Sequence, residues 1–337
     1  MPDFTPADFM PYDPFEGMRF GPTTCFLSGQ PVGPTDTISV FADWLQARYA
    51  LAERPIRLLD QSTVAFRDLR LPASPAVRQR LAEVEASVAA AAAQGPEALR
   101  ALGDDTLFLW LGKMFYGIFI TELLTEFEPL IRPRYPLAEN AALLRKFQVF
   151  FQLLQGLRVP TKYADFVPAS VFVLEVDSVE DVVPFEYDDD LNTLVFSIKM
   201  GNSVLVACLA DIGLIGQAMR QVYADARRPL HPVQVAEFKA RVYYAAHLLH
   251  MVPDLYPRHP RPGDTHLVFD ALIDDVGVAI FNPWENGAYT QALAELWHRW
   301  GITPADVNRD PTQPLSLLYA PDGTPRTVVH WVGPVRD

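Results

Sequence analysis

Residues 192–210 read NTLVFSIKMGNSVLVACLA, and this stretch sets the fold class. Two runs of apolar and β-branched residues flank Gly201-Asn202, a pair suited to a tight hairpin turn, so adjacent antiparallel strands are expected. A third run of the same kind, SVFVLEV at 170–176, precedes them. Helical patterns stand in blocks on either side rather than between successive strands. An α+β fold follows, in preference to a doubly wound α/β sheet.

Beyond the strands, helices are expected near 212–227, 232–252 and 286–299, with a strand at HLVFDAL (266–272) and a closing hairpin around Asp322-Gly323. Before them, two strongly apolar helices, near 104–127 and 137–157, form the centre of the larger domain. Ser74-Pro75 opens a further helix running to Gln94, because serine favours the cap and proline the first helical position. The Gly95-Pro96 pair that ends it sets a domain boundary. Pro2, Pro6, Pro11 and Pro14 alternate with Phe4, Phe9, Phe15 and Phe20 at the N-terminus, which forbids a regular helix while supplying aromatic anchors. Three parts are therefore expected: an extended arm over 1–21, a small region over 22–95, and a mixed α+β domain over 96–337.

Composition narrows the function. Half of the 337 residues are hydrophobic and a fifth are charged, enough for a core that needs no staples. The net charge is −13, and residues 161–225 hold three basic side chains against eleven acidic ones. Nucleic acid is a poor partner for such a chain, since phosphate binding draws on clustered Lys and Arg. Cys25 and Cys208 are the two cysteines and lie far apart, so no disulfide framework is indicated. The start lacks the basic segment and apolar run of a signal peptide, and a cytoplasmic location is expected. TLFLWLGKMFYGIFITELL (106–124) approaches membrane-spanning length, but Lys113 interrupts it and Asp104, Asp105 and Glu122 flank or enter it. A buried core helix is expected there, and no membrane association.

Residues 23–49, TTCFLSGQPVGPTDTISVFADWLQARY, carry a more specific pattern. Cys25, a two-residue spacer, Ser28-Gly29, a short loop and an apolar helix leading to Trp44-Leu45 resemble the N-terminal part of HNH-type endonuclease domains of the treble-clef kind. In that family the pattern runs Cys-x-x-Cys-Gly, then a His before the helix, with a second Cys-x-x-Cys at the start of a later helix. The resemblance covers 22 to about 90 and implies former metal or catalytic positions at Cys25, Ser28, Ser39, Ala73 and Ala76. One thiolate and a serine hydroxyl do not make a structural zinc site, which takes four Cys or His ligands. Ser39 in place of the His leaves no imidazole to activate water. Zinc and nuclease chemistry are both expected to be lost, with packing of Phe26, Phe41, Trp44, Leu58, Phe66 and Leu81 holding the region instead.

Other clusters are weaker. His247 and His250 are spaced for one helical turn, which would let two imidazoles share a metal if a carboxylate joined them. EYDDDLN (186–192) reads as a solvated connection, lacking the glycine and distal glutamate of a calcium loop. Asp274 and Asp275 could pair with Asp270 as a magnesium site, and acidic residues at the end of an exposed strand explain them as well. Cys208 sits in an apolar strand and is expected to be inert. No nucleophile elbow, P-loop or dinucleotide-binding turn occurs. Aromatic residues Phe4, Phe9, Phe15, Trp284, Trp297 and Trp300 are candidates for a sticky surface, as aromatics dominate interface hot spots. The expected function is thus a binding or scaffolding protein without cofactor, engaging a protein partner or itself. The rival is a metal-dependent enzyme built on His247 and His250.

Overall fold

The computed structural model describes residues 9, 12–16, 19–58, 62–126, 141–177, 183–250, 254–272 and 279–328. Its first elements are short: β1 (Thr37–Ser39), α1 (Asp43–Tyr49), β2 (Pro55–Arg57), β3 (Thr63–Ala65) and β4 (Arg70–Pro72). β1 pairs antiparallel with β4, and β2 with β3. Helix α2 (Pro75–Gln94) starts at Ser74 as expected and ends at Gly95, whose φ of +109° breaks the helix. Helices α3 (Pro96–Ala101), α4 (Asp104–Glu126) and α5 (Ala141–Leu154) follow.

Helix α4 is the axis of the molecule. Every residue from Leu107 to Ile120 is buried, Lys113 included, because the helix has no polar face to present to water. Among the described residues no helix is long and apolar enough to cross a membrane. Phe119 stacks on Phe147 of α5 with ring centres 4.0 Å apart, and Phe115 meets Phe150 edge-on at 5.6 Å. Gly117 lets α4 approach the end of β1: a Cβ there would lie 2.5 Å from Val40 Cγ2.

After β5 (Thr161–Tyr163) come the expected strands, β6 (Ser170–Val176), β7 (Phe185–Asp190), β8 (Val195–Met200) and β9 (Ser203–Cys208). Gly201 supplies the left-handed turn of the β8–β9 hairpin, with φ +61°. Helices α6 (Leu214–Ala218) and α7 (Arg220–Asp225), strand β10 (Pro229–Leu230), helix α8 (Pro232–Leu248), strands β11 (Asp254–Pro257) and β12 (Leu267–Leu272), and helices α9 (Asn286–Trp297) and α10 (Pro304–Val307) complete the chain. The main sheet runs β10-β6-β9-β8-β7, antiparallel except for β10 against β6. Both faces are covered. Val171, Val173, Phe196, Ile198, Leu205 and Ala207 join the core around α4 and α5, while Phe172, Leu174, Val204 and Val206 face α8. Helices in blocks around this sheet make the fold α+β.

Several boundaries differ from expectation. EYDDDLN belongs largely to strand β7 rather than to a connection, because Phe185 and Tyr187 anchor it against Phe41 and Phe66 while Glu186 and Asp188 point the other way. The 212–227 helix is two short ones. Helix α8 stops at Leu248, four residues early, as Leu249 forms a β-bridge to Phe281. Among the described residues the closing hairpin has its turn at Gly323, one bridge, Tyr319 to Pro325, and the bonds Ala320 N–H to Thr324 O and Arg326 N–H to Leu318 O, both 2.8 Å. The cluster of buried side chains around α4 takes in residues on both sides of Gly95-Pro96, from Phe9 to Phe269.

Candidate functional site

The knuckle-like stretch folds as a tight hairpin. Cys25 N–H donates to Gln30 O at 2.8 Å, Gly29 N–H to Cys25 O at 2.9 Å, and Val32 N–H to Thr23 O at 2.9 Å. Gly29 takes the left-handed conformation the turn requires, φ +67°. Two further bonds fasten the hairpin to the start of α2: Phe26 N–H to Pro72 O at 2.9 Å and Ala73 N–H to Asp36 O at 2.8 Å. Cys25 and Ser28 are thereby brought to the stretch that carries Ala73, Ser74 and Ala76.

Cys25 and Ala73 are fully buried, Ser28 is half-buried and Ala76 is exposed. Burial pushes the Cys25 thiol up, but hydrogen bonds from the Ser28 hydroxyl and from the backbone N–H groups of Ser74, Leu27 and Ser28 outweigh it and hold the thiol below its ordinary value. Cys25 thus lies buried where the two segments meet. Tyr12 of the N-terminal arm packs on the turn, its ring so near Gly29 that a Cβ there would lie 2.4 Å from Cε2. With Ser28 as the second donor and alanines at 73 and 76, the residues present do not fit a zinc ion.

Ser39, at the end of β1, has no imidazole beside it among the described residues. Its hydroxyl donates to Asp43 Oδ1 at 2.6 Å and receives Arg70 Nη1 at 3.3 Å. Behind it lies Lys113, whose Nζ reaches Ser39 O at 3.1 Å, Val40 O at 2.6 Å and Glu85 Oε1 at 2.7 Å. Burial lowers the Lys113 pKa, and Glu85 and then Asp43 oppose that shift. Three donors meet three acceptors, so the ammonium is a clamp joining β1, α2 and α4.

The other expected sites are dispersed. His247 is exposed and stacks on Tyr244, while His250 lies beyond the end of α8, so the two do not share a helical face. Among the described residues no three His, Cys, Asp or Glu side chains converge as a metal set. Asp270 is held by Arg258 through two bonds of 2.8 and 2.7 Å; Asp274, Asp275 and Phe4 lie outside the described residues. Phe9, Phe15 and Trp297, expected on a partner surface, are buried instead. Phe15 packs among Phe20, Phe119, Phe147 and Phe151, and Trp297 donates its indole N–H to Val233 O at 2.8 Å. Of that set Trp284 is 42% exposed, and Trp300 is half-buried beneath the Arg299 guanidinium.

The clamp residues Lys113, Glu85, Asp43 and Arg70 were not legible as a group. The available signal was Lys113 itself, a single cation inside an apolar helix, which requires a fixed partner. In comparisons with known proteins the chain matches no family model, no curated protein and no solved structure.

Proposed function

We propose that this chain is a non-catalytic binding protein whose N-terminal region is a treble clef of HNH type that has exchanged metal ligation for hydrogen bonding. The observation that carries the reading is the meeting of the two segments: Phe26 N–H bonds Pro72 O at 2.9 Å, which sets Cys25 and Ser28, the first and second ligand positions, beside the stretch that carries the third and fourth, Ala73 and Ala76. Backbone hydrogen bonds and the burial of Cys25 take the place of a zinc ion. Ser39, at the position of the catalytic imidazole, bonds Asp43 and Arg70 and sits over the Lys113 clamp, so it serves the fold. On this reading a protein partner docks on the face that carries Trp284.

The test is a cleavage assay on supercoiled plasmid and single-stranded RNA with magnesium, manganese or zinc. The proposal expects no cleavage above that of the Ser39→Ala variant. Divalent-metal-dependent cutting that disappears in Ser39→Ala would overturn it.

A further inference from the structure

An acidic chain of net charge −13 gathers three arginines around one cleft. The cleft, about 420 Å³, lies where α3, the first turn of α4, strand β6 and helices α6 and α7 meet. Arg100, Arg220 and Arg227 line it together with Gln217 and Ser170, and Asp104 is the one carboxylate on its wall.

Arg100 is the telling residue. Its side chain is only 9% exposed. Nε donates to Val173 O at 3.0 Å and Nη1 pairs with Glu97, which leaves Nη2 buried with no hydrogen-bond partner among the described residues. A buried guanidinium N–H without an acceptor is costly, and such groups are rare unless something else supplies the acceptor. Arg227 stands 3.8 Å from the second oxygen of Glu97, and Arg220, exposed at the start of α7, has no ion-pair partner among the described residues. Glu97 offsets part of this charge, and Asp104 on the wall, with Asp211 behind Ser170, offsets more, while neither pairs directly with Arg220 or with Nη2 of Arg100.

In the cleft beside α8 and α9, Lys239 pairs with Asp188 and Arg299 with Glu186; in the one beneath Trp284, Arg241 pairs with Glu237 and Arg326 donates to Ser316 O.

We propose that the Arg100–Arg220–Arg227 cleft binds a phosphate-bearing small molecule. A phosphate dianion offers several acceptor oxygens to three guanidinium groups, whose planar forks suit it better than a lysine ammonium would. Leu107, Val167 and Val171 line the remaining space, giving an apolar wall for the body of the ligand. The proposal does not depend on the descent of the knuckle.

Titration calorimetry of the full chain in 0.15 M salt, with inorganic phosphate, pyrophosphate and succinate as separate probes, tests it. Phosphate or pyrophosphate should bind, and more tightly than succinate. Arg220→Gln should weaken that binding by about tenfold or more, the effect of losing one charge-assisted hydrogen bond, while Arg80→Gln, outside the cleft, should leave it unchanged. Arg100→Gln should abolish it, with circular dichroism confirming that the variant is folded; Arg220→Gln, at an exposed position, carries the test if it is not. Absence of binding by either phosphate probe, tighter binding of succinate, or equal affinities of Arg220→Gln and wild type would overturn the proposal.

Discussion

The ammonium of Lys113 lies 2.7 Å from the carboxylate of Glu85, and between them they tie helices α4 and α2 to the carbonyls that end β1. Lys113 is fully buried, whereas the Glu85 side chain keeps some contact with water. Removing the cation strands two carbonyl oxygens and a carboxylate, so Lys113→Met should destabilise the protein by about 3 kcal/mol or more. Glu85→Gln retains an acceptor and should cost less. Urea unfolding of both variants checks the order.

Gly117 should resist substitution although it sits inside a helix, where alanine is ordinarily favoured by about 1 kcal/mol. The added methyl would meet Val40, a buried β-branched side chain with nowhere to move. Gly117→Ala should lower stability by about 1–2 kcal/mol net of the helix gain. Thermal unfolding that shows the variant to be more stable would place Val40 elsewhere.

Cys25 and Cys208 are both buried and free. A thiol reagent should modify neither in the native protein and both after denaturation. Cys25→Ala would remove a fully buried sulfur from the core and should cost about 1 kcal/mol, measured by chemical denaturation.

The sheet was legible because the turn signal at Gly201 and the apolar runs around it agree with each other, and the start of α2 because Ser74-Pro75 is a local signal. The acidic strand β7 was not. Glu186, Asp188 and Asp190 mask the alternation of Phe185 and Tyr187, whose partners Phe41 and Phe66 lie over a hundred residues away. The burial of Phe9, Phe15 and Trp297 was hidden for a related reason: an aromatic residue reads the same whether it anchors a core or a surface. The arginine cleft assembles from positions 100, 220 and 227, and no charge run marks it in the sequence.

The two knuckle segments meet at Cys25, as the ligand-bearing segments of a treble clef meet at its metal. The direct measurement is metal uptake by the Ser28→Cys/Ala73→Cys/Ala76→Cys variant, which restores a four-cysteine set around Cys25. If the region is a treble clef, the variant takes up one zinc per chain, and cobalt in its place gives the absorption of tetrahedral thiolate coordination. A folded variant that binds no stoichiometric metal would contradict the account.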